Sequence, residues 1–378
     1  MDYQLSEEQN AIQNLAVRFT ADEITPYAAE WDENHIFPRD TITKAADLGF
    51  GAIYLSEEAG GIGLGLLESA LIMEAMAYGC PSTSAFISIH NMASWMIATF
   101  GSDTVQKKYL PQLVTMEYIA SYCLTESGSG SDAAALKTTA KLDGDHYVVN
   151  GSKAFISGAG QNEIYVCMVR TGEDGHGGIT CMVVEKDMPG VSFGANERKL
   201  GWHSQPTATV NFEDVHVPVE NRVGEEGQGF KIAMAGLDGG RLNIAACSLG
   251  GAQRCLDEAI GYVKERQQFG KAIAEFQNTQ FMLADMATEL TAARSLTHIA
   301  ALKVTGNAPD KTSFAAMAKL KATDVGSKIA NDALQLHGGY GYLMDYPVER
   351  FVRDLRVHQI LEGTNQVMRM VIGRSLLS

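Results

Sequence analysis

The residues of this chain with the clearest capacity for chemistry sit in short runs punctuated by glycine. Near the C-terminus, Ile360-Leu361-Glu362-Gly363-Thr364-Asn365-Gln366 sets a carboxylate just ahead of a helical pattern. Such a carboxylate can serve as a general base, or it can be a solvated side chain favoured by the helix dipole. Spacing alone leaves both open. Earlier, Tyr122-Cys123-Leu124-Thr125-Glu126-Ser127-Gly128-Ser129-Gly130-Ser131-Asp132 combines glycines with hydroxyls. The glycines let backbone N–H groups approach a ligand, and the hydroxyls add donors and acceptors. A ligand cradle and a flexible inter-domain loop explain that run equally well.

Several familiar signatures are missing. There is no GxGxxG, GxxxxGK[ST] or HExxH, and the 9 histidines are scattered without metal-ligand spacing, so no metal site is expected. Gly190-Val191-Ser192-Phe193-Gly194 matches GxSxG. A nucleophile elbow needs a strand–turn–helix setting, whereas this run follows Pro-Gly inside a strand-rich block.

Three segments must position these groups. Residues 1–120 read helical: Ser6-Glu7-Glu8-Gln9 is a capping-box pattern, followed by apolar Ile12, Leu15, Ala16 and Phe19. Residues 121–228 read as short strands at 147–149, 154–156, 164–169, 179–184 and 207–212. Asp143-Gly144 and Asn150-Gly151 read as hairpin turns. This block predicts a small antiparallel barrel or sandwich. Residues 229–378 read helical again, from about Phe230 and then through 276–305, 310–336 and 348–376, which predicts a four-helix bundle. The fold class is therefore α+β, in the order helical, β, helical bundle.

Composition narrows the partners. With 30 Lys and Arg against 45 Asp and Glu, the net charge is -15, which argues against nucleic acid. The longest uncharged stretch, residues 75–102, contains glycine, proline, histidine, asparagine and many hydroxyls, so a buried helical layer is expected there and not a membrane span. The start, MDYQLSEEQNAIQ, lacks the cationic and apolar regions of a signal peptide. The 6 cysteines include no CxxC pair and read as reduced, mostly buried thiols.

Five runs, taken together, resemble the acyl-CoA dehydrogenase family. They are the 122–132 run, Asn150-Gly151-Ser152-Lys153-Ala154-Phe155-Ile156-Ser157, Glu265-Arg266-Gln267-Gln268-Phe269-Gly270-Lys271 with Phe276-Gln277, Gln335-Leu336-His337-Gly338-Gly339-Tyr340-Gly341, and the 360–366 run. They fall in the family's order and cover the chain almost end to end. Within the family, residues 201–206, 236–245 and 357–363 are most similar to the short branched-chain members.

The resemblance implies an FAD enzyme with an N-terminal helical domain, a middle β domain and a C-terminal four-helix bundle. It would convert isobutyryl-CoA to methacrylyl-CoA, a step of valine catabolism, and pass electrons to an electron-transfer flavoprotein. Glu362 would remove the α-proton, the β-hydrogen would leave as hydride, and the developing enolate would be held by an FAD ribityl hydroxyl and the base's own N–H. Some relatives carry the base on the earlier helix instead, at the position of Gly240, which here has no side chain. The implied flavin residues are Tyr122, Cys123, Leu124, Thr125, Gly128, Gly130, Ser131, Phe155, Ile156 and Ser157, then Arg266, Phe276, Gln277, Gln335, Leu336, His337, Gly338 and Gly339, partly across a subunit interface, and Thr364, Asn365 and Gln366. Substrate contacts would come from Ser131, Asp238, Gly239, Gly240, Arg241 and Arg374. A homotetramer in bacterial cytoplasm or mitochondrial matrix is implied. Ser127, Phe155 and Ser157 depart from the proline, tryptophan and threonine common in the family, which bears on the flavin's surroundings. An oxidase or monooxygenase on the same fold and a non-catalytic acyl-CoA-binding protein are the rival readings.

Overall fold

Ser6 opens the first helix by a reciprocal cap. Its hydroxyl accepts from the Gln9 N–H (3.1 Å), and the Gln9 side chain accepts from the Ser6 N–H (3.0 Å). The computed structural model, which describes residues 4–377, then continues through α1 (Glu7–Phe19), α2 (Ala28–Glu33), α3 (Arg39–Ala46), α4 (Leu66–Gly79), α5 (Pro81–Phe100) and α6 (Asp103–Val114). Helix α5 carries no charged residue and is buried over most of its length. Its polar groups find partners there, as burial requires. Asn91 binds Phe50 O, Ile87 O and the Ile53 N–H, and His90 bridges Leu113 O and the Ala120 N–H. Among the described residues, no helix is long and apolar enough to cross a membrane.

The middle block contains β1 (Ala120–Cys123), β2 (Thr139–Asp143), β3 (His146–Ser157), β4 (Ile164–Arg170), β5 (Ile179–Glu185), β6 (Val191–Phe193), β7 (Thr207–Pro218) and β8 (Arg222–Val223). Their order is β6-β7-β3-β2-β4-β5-β8, with β1 also on β4. Two details differ from the expected antiparallel barrel or sandwich. The sheet is mixed, since β1 and β2 both pair with β4 in parallel, and its pairing does not close into a barrel. Asp143 and His146 do close a hairpin. Asn150-Gly151 does not: β3 runs straight through it, and the register against β7 shifts there. Gly151 is needed for close approach, because a Cβ on it would meet Thr138 Cα at 2.7 Å. The GxSxG serine, Ser192, lies exposed within β6, away from any strand–turn–helix corner.

The last block holds α7 (Gly229–Glu265), a small hairpin of β9 (Gln267–Gln268) and β10 (Lys271–Ala272), then α8 (Gln277–Thr305), α9 (Lys311–His337), α10 (Val348–Arg356) and α11 (Asn365–Leu377). At 37 residues α7 spans roughly 55 Å. It packs against α4, α5, α8 and α9 and so joins the blocks. The expected single helix over 348–376 is instead broken. Between α10 and α11 the chain makes a short 3-10 turn, and then Glu362 (φ 55) and Gly363 (φ 87) follow in left-handed conformation. Gly363 is the one local signal of that break, and what fixes it comes from α9. All six cysteines are buried and unpaired.

Candidate active site

The break places Glu362 against α7. A left-handed glutamate costs on the order of 1 kcal/mol and persists only where its surroundings hold it. Here α9 and α7 do so. Lys319 Nζ donates to Gly363 O (2.8 Å) and Asn365 Oδ1 (2.9 Å). Asn365 Nδ2 donates to Thr323 Oγ1 (2.9 Å) and Asp324 Oδ1 (2.7 Å). From α7, Arg241 Nε reaches Glu362 O at 3.4 Å, while its Nη1 donates to Asp238 Oδ1 (3.0 Å). Thr364 Oγ1 accepts from the Val367 N–H (3.2 Å) and caps α11. Ahead of the break, His358 Nδ1 meets Ser248 Oγ at 2.7 Å, and its ring lies edge-on to Trp202. Asp354 accepts from the Trp202 N–H at 2.6 Å, tying α10 to the 201–206 loop.

The carboxylate itself enters a tight niche. A Cβ added at Gly240 would lie 2.7 Å from Glu362 Oε2 and 2.9 Å from Met92 Sδ, so only glycine leaves room for the group. Glu362 is half-exposed as a residue, yet its Oε2 is shielded from solvent and has no hydrogen-bond partner. Nearby Tyr54 Oη, Tyr122 Oη and Asn243 Nδ2 are likewise buried without partners. Burial pushes the Glu362 carboxyl up to about 7, against the opposing pull of Arg241 and then Lys319. A carboxyl raised towards neutrality, whose shielded Oε2 makes no structural bond, is suited to exchange a proton with a bound molecule.

A cavity of about 360 Å³ opens beside this niche. Its wall includes Asp238 and Gly239, together with Tyr54, Leu64, Leu66 and Trp95. Asp238 is fixed by Arg241 and by Thr312 Oγ1 (2.7 Å). Four of the implied substrate residues (Asp238, Gly239, Gly240 and Arg241) therefore gather here. Ser131 is exposed on its loop, and Arg374 is exposed in the last turn of α11.

The Tyr122–Ser131 loop is held from below. The buried Lys153 ammonium donates to Glu126 Oε1 (2.7 Å) and Leu124 O (3.2 Å), and Glu126 also accepts from the Lys137 and Thr138 N–H groups. Burial works against ionising Glu126, but Lys153 outweighs it and holds the carboxyl below its usual range. The loop surface is open: a Cβ at Gly128 or Gly130 would meet nothing within 4 Å. Thr125 O accepts from the Ala154 N–H (2.9 Å), which brings this loop beside β3. There Phe155 has a left-handed φ of 58 and is 64% exposed. Cys123, Leu124 and Ile156 are buried beneath. A planar aromatic group fits this arrangement, with an exposed ring and an open glycine loop to lie against.

The remaining implied flavin residues assemble elsewhere. Arg266 lies over the Tyr340 ring at 5.4 Å, Phe276 packs edge-on to Phe269, and His337 stacks on Tyr262 at 4.4 Å while its Nδ1 meets Ala333 O at 2.8 Å. Gln335, Gly338 and Gly339 are exposed, Leu336 is half-buried, and Gln277 begins α8. From Arg241 to the end of α7 is roughly 36 Å of helix, so this cluster and Glu362 are separate sites in one chain. Gln366 is exposed, whereas the Asn365 amide is spent on α9.

Sequence reasoning assigned no role to Lys319, Lys153, Met92 or Tyr54. For Lys319 a signal existed: it stands among buried Ala315, Ala316, Ala318 and Ala322, where a charge is costly.

Comparison with known proteins follows the same outline. The chain matches the sequence patterns of the acyl-CoA dehydrogenase N-terminal domain over residues 6–117, middle domain over 121–215 and C-terminal domain over 227–377. Bovine (Bos taurus) mitochondrial isobutyryl-CoA dehydrogenase is 56% identical, over 99% of this chain and 90% of that one. The solved structure of butyryl-CoA dehydrogenase from Megasphaera elsdenii is 38% identical, with a TM-score of 0.97 over 100% of both chains. The FAD complex of PigA is 31% identical, with a TM-score of 0.96 over 100% of this chain and 99% of that one.

Proposed function

The chain belongs to the acyl-CoA dehydrogenase family, and we propose that it desaturates a short 2-methyl-branched acyl-CoA, with isobutyryl-CoA giving methacrylyl-CoA, and that Glu362 is its base. It is an oxidoreductase of acyl-CoA thioesters with FAD as cofactor. The observation that carries the assignment of the base is the unpartnered, solvent-shielded Glu362 Oε2 beside Gly240.

The α-hydrogen of a thioester is weakly acidic, so its removal needs a base of matched pKa and stabilisation of the enolate oxygen. A Glu362 carboxyl near 7 is ionised in part at neutral pH and gains basicity from its burial. The left-handed turn aims it across α7, and Arg241 and Lys319 hold that turn from two sides. When bound, FAD supplies the acceptor for the β-hydrogen as hydride. Tyr122, Thr125, Gly128, Gly130, Phe155 and Ser157 would face its ring system, over the buried Cys123, Leu124 and Ile156. The apolar cavity walls of Leu64, Leu66 and Trp95 suit a short alkyl group. The identity with a relative named isobutyryl-CoA dehydrogenase supports the branched substrate and a place in valine catabolism.

Electrons would leave to an electron-transfer flavoprotein. Exposed Phe269 (94%) and Tyr342 (83%), with Phe281 and Met344, support burial of that surface by further copies in a homotetramer. Arg266 and residues 335–339 would then hold an adenosine and pyrophosphate at a subunit interface. The mitochondrial name of the bovine relative supports a matrix location, and bacterial cytoplasm fits the same chemistry.

Anaerobic titration of the purified flavoprotein with isobutyryl-CoA and butyryl-CoA tests the reading. Bleaching of the oxidised flavin at lower isobutyryl-CoA concentration is the expected result. Bleaching by neither removes the substrate assignment, and rapid peroxide formation in air indicates an oxidase instead.

A further inference from the structure

Lys319 is among the most completely buried side chains of the molecule, and neither of its hydrogen bonds goes to a carboxylate. Its Nζ meets a backbone carbonyl, Gly363 O, and the neutral amide oxygen of Asn365. Burying an ammonium with only neutral partners is costly, and an uncharged residue could pack in its place at lower cost. The two acceptors stand one and three residues after the base.

We propose that Lys319 is the positioning residue of the base: it ties the Glu362–Gly363 turn to α9 and adds positive charge that favours the ionised Glu362 carboxylate. Arg241, the other cation at the niche, also favours the ionised carboxylate and is the larger influence of the two. Arg241 is closed by Asp238, whose carboxylate offsets it. The carboxylate nearest Lys319 on its own helix, Asp324, is occupied by Asn365, Gln359 and Arg369. From the other elements, His358 is held neutral by burial and by Lys319, and the Tyr54 and Tyr122 hydroxyls, both raised by burial and by Glu362, stay protonated. Lys319 and Glu362 are thus the two groups at the niche whose charges lack a dedicated counter-ion, and each lowers the cost of burying the other. Burial draws the Lys319 ammonium down and the Glu362 carboxyl up, and each ion opposes that shift in the other.

This inference rests on Glu362 being the base. The test is the pH dependence of the rate constant for flavin bleaching by saturating isobutyryl-CoA, measured by anaerobic stopped flow on the holoenzyme, for wild type, Lys319→Met, Lys319→Gln and Lys319→Arg. Removal of the charge should move the limb that reports the ionised base to higher pH by about one unit. Lys319→Met should also slow the plateau at high pH, since the turn loses its tie. Lys319→Gln keeps a donor and should move the limb with less loss of plateau. It also serves if the methionine variant does not fold. Lys319→Arg should bring the limb back towards wild type. A limb that stays at its wild-type position in the folded, flavin-loaded Met or Gln variant overturns the proposal, even if the rate falls. If wild type itself is bleached by no acyl-CoA, the reading of Glu362 fails first, and the two failures are distinguishable.

Discussion

Helix α7 carries a closed site near one end and an open one at the other. Around Glu362 this chain supplies the supporting groups: Gly240 clears the space, Arg241 and Lys319 hold the turn, and Oε2 is shielded from water. Around Arg266, His337 stacks on Tyr262 and Tyr340 lies tilted beside it, yet Gln335, Gly338, Gly339 and Phe269 face outward. The difference teaches how proton transfer and cofactor anchoring place different demands on a fold. A base must be desolvated to work near neutral pH, so one chain has to enclose it. An adenosine and pyrophosphate arm can be gripped on a surface that a second copy covers.

The sharpest way to break the comparison is at the base. Glu362→Gln should lower the rate of flavin bleaching by roughly two to four decades while FAD content is retained. Near-normal turnover in stopped flow would remove the distinction between the two ends. Next in size, Gly240→Ala should lower turnover by about one to two decades, because its methyl would sit against Oε2 and overpacking costs about 1–3 kcal/mol. A crystal structure of that variant should show the carboxylate displaced.

At the open end, Arg266→Ala should weaken FAD retention by about tenfold or more, the weight of a hydrogen bond to a charged group. The bleaching rate per bound flavin should not change. Loss of the chemical step with full flavin content would instead join the two ends into one site.

The pH dependence sharpens the contrast further. With Glu362 raised from about 4.5 to about 7, the bleaching rate should rise by about tenfold per pH unit below 7 and level off above it. Stability runs the other way. A carboxyl whose folded pKa is raised contributes fully below about 4.5, and that contribution is lost as pH rises through about 7. Thermal melting of Glu362→Gln should lack that decline. Smallest of all, Arg374→Ala should change KM by no more than about twofold, since the residue is exposed at a helix end.

Much of this was legible beforehand. The α, β, α order, the capping box at Ser6, the Asp143 hairpin and the five runs of the resemblance all follow from local pattern, which a strand or helix period records directly. The turn at Asn150-Gly151 was misread because the same dipeptide serves a hairpin and a bulge, and only the partner strand decides which. The break after α10 was missed because its cause lies outside it, in bonds from Lys319, Thr323 and Asp324 on α9.

The sequence, through the family resemblance of its motifs, pointed to Glu362 as the base and showed that the alternative position is occupied by Gly240. Composition alone also set the acidic charge of the chain. Tertiary structure decided what those residues do. It brought Gly240 and Glu362, 122 positions apart, within a methyl's width of each other. It separated the two ends of α7 and buried an uncompensated lysine behind the turn. Desolvation and charge proximity act through space, and no local pattern in the chain encodes them.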